Sequence, residues 1–188
     1  MIAIRRLDPQ GGPIVGNGRG RSAAIVAGDV LLHPAVIVSI AVFIANDHVL
    51  KVAARGWLTG KISDVAGLVF FPLLLVAAWE LLRSAAGRRV DPSARSLILA
   101  VMLTGLAFAS IKTTELGSSV FAWAVGTAQW LVGMAWSVAV AGPAPFIQPV
   151  QNVRDPTDLV ALLGLVGSAA IGLARVRRAS DSLARTGA

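Results

Sequence analysis

A lysine, a serine and an aspartate stand at the entry to a long apolar run, and their types and spacing suit the binding of an anion. Lys61 and Asp64 lie three residues apart, so both side chains can share one face of a helix, with Ser63 beside them. The first turn of that helix also offers free backbone N–H groups and the positive end of the helix dipole. Such an arrangement can hold a phosphate or a lipid headgroup.

More polar residues stand at the ends of the other apolar runs. Residues 46–51 and 112–113 close two of these runs, and residues 155–158 open the last one. If these ends lie on one side of a membrane, their side chains gather at one surface. The headgroup-binding candidates are then Asn46, Asp47, Lys51, Lys61, Ser63, Asp64, Lys112 and Thr113.

Carboxylates in the same region allow a second kind of site. Asp64, Asp155 and Asp158 offer the oxygen ligands that divalent cations prefer. They favour an alternative function, a membrane-embedded hydrolase or transferase that uses a metal and acts on a lipid-linked phosphate. Apart from that metal, no cofactor is expected. The catalytic residues stay unknown, because the chain has no serine–histidine–aspartate motif, no metalloprotease helix motif and no cysteine.

The same polar residues also suit structural roles. Asp155, followed by a proline and then by Asp158, is typical of a helix start, with a capping carboxylate and an acid in the first turn. Ser63 and Asp64 can likewise cap a helix, and Lys61 can extend its ammonium group to the membrane surface. Both interpretations stay open at the level of the sequence.

Composition and charge indicate a lipid bilayer as the surroundings of this chain. Of its 188 residues 55% are apolar and 14% charged, whereas soluble domains carry about 25% charged residues. The net charge of +7 comes from arginines clustered between apolar runs. That distribution is typical of topology signals and anionic lipid contacts. Membrane lipids are therefore the expected partners and nucleic acid is not, while the sequence identifies no protein partner.

The apolar runs predict an all-α, polytopic membrane helix bundle. A basic, disordered tail is expected over residues 1–28, a transmembrane domain over 29–175, and a second basic tail over 176–188. The predicted spans are residues 30–45, 62–82, 96–111 and 159–174. Residues 118–141 are uncharged and long enough to cross, but their tryptophans are spread along the run instead of at its two ends. They predict an interfacial or re-entrant segment, with five spanning helices as the alternative.

The distribution of lysines and arginines favours four crossings over five. With four crossings the two sides of the membrane hold 12 and 5 basic residues, and with five they hold 9 and 8. Because basic residues concentrate on the cytoplasmic side, only the first count gives an orientation. We therefore expect a multi-pass membrane protein with both termini in the cytoplasm and the polar candidates at the outer face.

Three shorter patterns predict a packing face, a kink and an ion pair in the spanning helices. Gly164, Ser168 and Gly172 recur every four residues and give the last span a face for close packing against a neighbour. Pro72 should kink the second span, because proline lacks the backbone N–H of a helix interior. Glu80 and Arg83 stand three residues apart at the far end of that span, where they can form an ion pair.

Three blocks of this sequence resemble a group of small, uncharacterised bacterial integral membrane proteins. They are Asn46-Asp-His-Val-Leu-Lys51, Trp57-Leu-Thr-Gly-Lys-Ile-Ser-Asp-Val-Ala-Gly67 with Phe70-Phe-Pro72, and Asp155-Pro-Thr-Asp-Leu-Val-Ala-Leu162. More distantly, a polar block entering one helix and an Asp-x-x-Asp block entering the last is similar to the VanZ-like family. The resemblance implies an inner-membrane location and four helices, and it supplies no reaction.

The leading hypothesis is a binding or accessory protein that engages anionic lipid or envelope-precursor headgroups. The enzyme described above is one alternative, and a small transporter subunit is another. A transporter predicts ionisable residues in the middle of the bundle, whereas those of this chain stand at the ends of the spans.

Overall fold

The computed structural model describes residues 26–46 and 57–186, and within these ranges it is helical and contains no strand. A short 3₁₀-helix, Asp29–Leu32, precedes α1, and a second one, Pro156–Leu163, leads into the last helix. The prediction of an all-α fold is confirmed for the described residues. The α-helices are α1 (Pro34–Ala45), α2 (Trp57–Ala85), α3 (Ala94–Thr113), α4 (Glu115–Ala139) and α5 (Gly164–Thr186).

The helices run back and forth between two polar ends, and α2 is the central one. We call these the Lys61 end, where α2 begins, and the Glu80 end, where α2 finishes. Helix α2 packs against α1, α3 and α5 and against both 3₁₀-helices. The core between them is apolar, and its most buried side chains belong to Val36, Leu73, Val76, Ala77, Leu97 and Ala100.

Three helical segments are long and apolar enough to cross a membrane, whereas four were predicted. They are Gly60–Ala85, Ala94–Thr113 and Pro156–Ser182. The predicted first span is interrupted: its initial residues form a 3₁₀-helix, and α1 begins only at Pro34 and has 12 residues. His33 holds an extended backbone conformation, as expected for the residue before a proline, so the two helices do not join.

Apolar side chains cover the outside of the bundle as well as its core. On α3, Leu99, Leu103 and Leu106 are each more than 60% exposed. Soluble proteins rarely expose contiguous apolar surface on this scale, because its contact with water is unfavourable. Together with the three long apolar helices, this surface identifies a membrane protein.

Small residues of α5 lie where this helix approaches its neighbours most closely. Ser168 is fully buried, and its Oγ donates hydrogen bonds to the carbonyl oxygens of Leu68 (2.8 Å) and Val69 (2.6 Å) on α2. Gly164 faces the backbone of α2, where a Cβ would come within 2.7 Å of a carbonyl oxygen, and Gly172 faces Leu97 of α3. A larger residue at either glycine would force the helices apart.

Helix α4 corresponds to the predicted interfacial or re-entrant segment, and it is not among the three membrane-length apolar helices. After Ala141, whose positive φ of 51° turns the chain, residues 143–155 run back along one face of α4. Gly126 lies under this return segment, where any side chain would collide with the carbonyl of Gln148. Three hydrogen bonds join the return segment to α4: Trp130 Nε1 to Pro145 O (3.1 Å), Val150 N to Ala122 O (3.1 Å) and Asn152 Nδ2 to Ser118 Oγ (2.8 Å).

The excursion of the chain through α4 and the return segment, residues 115–155, begins and finishes at the same end of the bundle. Lys112, which precedes α4, and Asp158, which follows the return segment, form an ion pair of 2.8 Å. The chain between them therefore makes no net passage from one end of the bundle to the other. The alternative of five spanning helices requires α4 to cross from one end of the bundle to the other, which would place Lys112 and Asp158 at opposite ends. The ion pair between them does not fit that arrangement.

One predicted ion pair is replaced by another, and the two predicted tails stay predictions. Glu80 pairs with Arg175 of α5 instead of Arg83, because α5 reaches the end of α2 with its guanidinium group directed at the carboxylate. Residues 176–186, expected as a tail, continue α5. Residues 1–25 of the tail predicted over residues 1–28, and also Asp47 and Lys51, lie outside the described residues.

Candidate functional site

The Lys61 end holds a cluster of ion pairs that three helical elements build together. Lys61, in the first turns of α2, donates hydrogen bonds from Nζ to Asp158 Oδ1 (2.8 Å) and Thr157 Oγ1 (2.9 Å). Both acceptors belong to the 3₁₀-helix before α5. The side chain of Lys61 is 9% exposed and that of Asp158 13% exposed, so the pair is largely shielded from solvent.

Lys112 brings the end of α3 into the same cluster. Its Nζ lies 2.8 Å from Asp158 Oδ2 and 2.8 Å from Asp64 Oδ2. The ammonium group also stands over the ring of Phe108, 5.5 Å from its centre. Asp158 therefore bridges two lysines and Lys112 bridges two aspartates, so the cluster is a chain of alternating charges. Within the described residues, the two lysines and two aspartates balance.

Asn46 and Ser63 form a second polar contact that joins α1 to α2. Asn46 Nδ2 donates to Ser63 Oγ at 2.5 Å, and both residues are buried. Asn46 follows directly after the last residue of α1. This contact therefore fixes the end of the short helix beside the beginning of α2, next to Lys61 and Asp64 in the sequence.

Asp155 begins the 3₁₀-helix that carries the acceptors of Lys61. Its Oδ1 accepts a hydrogen bond from the backbone N–H of Thr157 at 2.9 Å, and Pro156 follows it at the first helical position. Hydrogen bonds from the side chain and the backbone of Thr157 lower the pKa of the Asp155 carboxyl below its usual value. Asp155 therefore acts as a helix cap, whereas Asp158 forms ion pairs with Lys61 and Lys112.

The three carboxylates considered as metal ligands do not converge on one point. The ammonium group of Lys112 lies between Asp64 and Asp158, and Asp155 caps its own 3₁₀-helix. Over residues 26–46 and 57–186, no group of three or more histidine, aspartate or glutamate residues is arranged to hold a metal ion.

Most described candidates from the sequence come together here, and one does not. Asn46, Lys61, Ser63, Asp64 and Lys112 take part in these contacts, while Thr113, also at the Lys61 end, directs its hydroxyl to the carbonyl of Ala109 (2.7 Å) on its own helix. Thr157 was not among the headgroup candidates, and Asp158 was considered as a metal ligand or as an acid in the first turn of a helix. Their contacts with Lys61 join positions 96 and 97 residues apart, which local spacing does not reveal.

An apolar groove runs from this cluster along the outside of the bundle. It lies between α1 and α2, has a volume of about 360 Å³, and Lys61 stands among its lining residues. Its other walls come from Val38, Ser39, Val42, Ile62, Val65 and Ala66. A cation beside an apolar groove is an arrangement suited to an amphiphile with a negatively charged head.

Comparisons with known proteins give no further guide to this site. No protein-family model, curated protein or solved structure matches the chain.

Proposed function

We propose that this chain is a multi-pass protein of the bacterial inner membrane with four crossings, in which the first 3₁₀-helix and α1 together make the first. The positions of their ends support this. Asp29 pairs with Arg175 at the Glu80 end, and Asn46 contacts Ser63 at the Lys61 end. The 3₁₀-helix and α1 have a combined rise of about 26 Å, close to the hydrocarbon thickness of about 30 Å.

The Glu80 end faces the cytoplasm in this proposal. The chain enters this end at Gly28, and α5 leaves it beyond Arg175, so both termini belong to one side. The loop between α2 and α3 adds further positive charge there, with Arg88 and Arg89. The positive-inside rule then assigns the Lys61 end to the outer face, with α4 and its return segment beside the bundle on that side.

Single-cysteine labelling tests this orientation, because the natural chain has no cysteine. A membrane-impermeant maleimide added to intact spheroplasts should label Thr113→Cys and Arg154→Cys at the Lys61 end. It should label Arg88→Cys only after the membrane is permeabilised. Labelling of Arg154→Cys from the side opposite to Thr113→Cys would refute four crossings.

The function that the Lys61 end supports best is the binding of anionic lipid or envelope-precursor headgroups. The observation that carries this proposal is the groove between α1 and α2 with Lys61 among its walls. An acyl chain would lie against Val38, Val42 and Val65, and the phosphate would reach the ammonium group in competition with Asp158. The two lysines keep some exposure, 9% for Lys61 and 13% for Lys112, so an anion can approach their ammonium groups.

The same cluster contains residues from the blocks that carry the resemblance to small bacterial membrane proteins. Lys61, Asp64, Thr157 and Asp158 stand in two of those three blocks and contact one another or a shared lysine. The resemblance itself stays a prediction. It agrees with a site at the Lys61 end to which both of these blocks contribute.

Native mass spectrometry of the full-length protein, reconstituted with a mixture of phosphatidylglycerol and phosphatidylcholine, tests lipid binding. Lys61→Gln should lower the amount of bound phosphatidylglycerol about fivefold, because one cation near a headgroup contributes on the order of 1 kcal/mol. Val42→Trp should lower it by filling the groove without changing charge.

Two matched controls complete this test. Lys61→Arg keeps the cation and should retain most of the bound lipid, and Arg154→Gln removes an exposed charge from the same end and should have no effect. Chelation of divalent metals should leave lipid binding unchanged. Equal binding by wild type and Lys61→Gln would refute the proposal.

A further inference from the structure

A second groove opens at the opposite end of the molecule, between α2 and α3. Its volume is about 500 Å³. One part of its wall is apolar and the other carries two arginines, Arg83 at the end of α2 and Arg95 in the first turn of α3. We propose that this groove binds an anionic phospholipid, with the phosphodiester between the two arginines and an acyl chain along Leu75, Leu99 and Leu103.

Arg83 carries a charge that its nearest acid does not neutralise. Glu80, one helical turn earlier, receives both guanidinium N–H groups of Arg175 and the backbone N–H of Gly28. The Nε atom of Arg83 is buried and has no hydrogen-bond partner within the described residues. A buried donor without an acceptor is unfavourable, and a phosphate oxygen would satisfy it.

Arg95 provides the second positive charge on the other side of the groove. It lies in the first turn of α3, where the positive end of the helix dipole makes a cation unfavourable unless an anion is near. Ser93, the N-cap residue of α3, makes no side-chain hydrogen bond to the helix. Glu80 and Asp91 also line the groove. Because Glu80 is neutralised by its two hydrogen bonds from Arg175, the two arginines and the exposed Asp91 leave a net charge of +1. A phosphodiester carries one negative charge and matches it.

The apolar wall indicates a lipid as the occupant. Leu99 and Leu103 are each 62% exposed, and they continue the outward apolar surface of α3 that would contact the bilayer. The groove thus opens sideways onto the hydrocarbon region and has its charges only at one end. Arg95 and Leu103 are eight residues apart, which is about 12 Å along a helix and enough for the upper part of an acyl chain.

This site is separate from the cluster at the Lys61 end. Lys61 and Arg83 stand 22 residues apart on α2, about 33 Å along the helix axis. The two sites therefore lie at the levels of opposite leaflets, and either proposal can fail without the other.

Tryptophan quenching in reconstituted vesicles tests this site, because Trp79 lines the groove. The full-length protein is placed in phosphatidylcholine vesicles that contain the same small fraction of either brominated phosphatidylglycerol or brominated phosphatidylcholine. The signal of Trp79 is the difference between wild type and Trp79→Phe. We expect brominated phosphatidylglycerol to be enriched at Trp79 about fivefold for each arginine.

Two double variants that remove the same charge distinguish a specific site in the groove from a general attraction of anionic lipids to the basic loop between α2 and α3. Arg83→Gln with Arg95→Gln should abolish the preference for phosphatidylglycerol. Arg88→Gln with Arg89→Gln removes the same charge from exposed residues that do not line the groove, and should preserve it. Arg95 is exposed, so Arg95→Gln alone should fold and lose about fivefold of the preference. Equal quenching of wild-type Trp79 by the two lipids, or an unchanged preference in Arg95→Gln, would overturn the proposal.

Discussion

The two polar ends of this bundle use different ion pairs, and the difference separates a structural contact from a candidate binding site. At the Glu80 end, one guanidinium group holds Glu80 through two parallel hydrogen bonds of 2.6 Å and 3.0 Å and also pairs with Asp29 at 2.6 Å. At the Lys61 end, Lys61 and Lys112 each meet Asp158 through a single contact. The planar arginine fork fixes both partners, whereas a lysine is a point charge on a flexible stem.

Their surroundings differ in the same sense. The carboxylate of Glu80 is 5% exposed and accepts a third hydrogen bond from Gly28. Asp64 at the other end is 21% exposed, and the apolar groove lies beside Lys61. We infer that the Glu80 pair holds the termini of the bundle together, while the lysine cluster can exchange a carboxylate for a ligand.

The largest expected effect is therefore a loss of stability at the Glu80 end. Arg175→Ala leaves a buried carboxylate without its counterion, and we expect a loss of about 3–5 kcal/mol in unfolding free energy. Equilibrium unfolding in detergent micelles measures this change. Arg177→Ala, two residues further along α5 and exposed, is the control and should change the free energy by less than about 0.5 kcal/mol. Similar values for the two variants would contradict the structural role of Arg175.

A smaller loss is expected at the Lys61 end, and its two lysines should be coupled. Lys112→Met and Lys61→Met each remove one partner of Asp158, and each should cost about 1–3 kcal/mol. Because they share that aspartate, the double variant should depart from additivity by about 0.5 kcal/mol or more. The same unfolding measurement closes this double-mutant cycle, and strict additivity would show that the cluster does not act as one unit.

Sequence patterns predicted which residues lie at the two polar ends better than they predicted which residues pair with one another there. The spacing of Lys61 and Asp64 predicted a shared helix face, and the spacing of Glu80 and Arg83 predicted an ion pair within one helix. In the structure, Lys61 pairs with Asp158 and Glu80 with Arg175, and both partners lie in the last helical segment, 97 and 95 residues away. Local spacing reports which side chains share a helix face, but the packing of whole helices decides which charges meet.

The helix count shows the same limit. The apolar run over residues 30–45 predicted a full span, yet His33 and Pro34 divide it, and only the three-dimensional contacts reveal where its two ends lie. The count of lysines and arginines predicted that residues 118–141 do not cross, because the two sides of the membrane differ clearly in basic charge only in that case. Its return segment has no periodic apolar pattern, so its course along α4 was not predictable.

The α4 excursion is attached to the Lys61 end, so its disruption should affect that end and leave the Glu80 end unchanged. Gly126→Val would displace residues 143–155 from the face of α4, because its side chain has no space beside Gln148. We expect hydrogen exchange at the amide of Val150, which donates to Ala122 O, to accelerate by about one order of magnitude. Exchange mass spectrometry measures this, and Gly142→Ala, where a side chain would meet only a neighbouring valine, is the control. Faster exchange in residues 76–83 as well would show that the excursion is coupled to both ends.

The smallest expected effect concerns Asp155, which caps the 3₁₀-helix by accepting a hydrogen bond from the backbone N–H of Thr157. Its pKa is lowered in the folded protein, so its contribution is present above the ordinary pKa of an aspartate and is lost as the pH falls through the lowered value. Asp155→Ala should therefore unfold at a slightly lower temperature than wild type at neutral pH, and the two midpoints should converge in acid. Asp155→Asn keeps a capping oxygen and should stay closer to wild type at neutral pH. A drop as large as that of Lys112→Met would mean that Asp155 belongs to the ion-pair cluster, and the charges at the Lys61 end would then no longer balance.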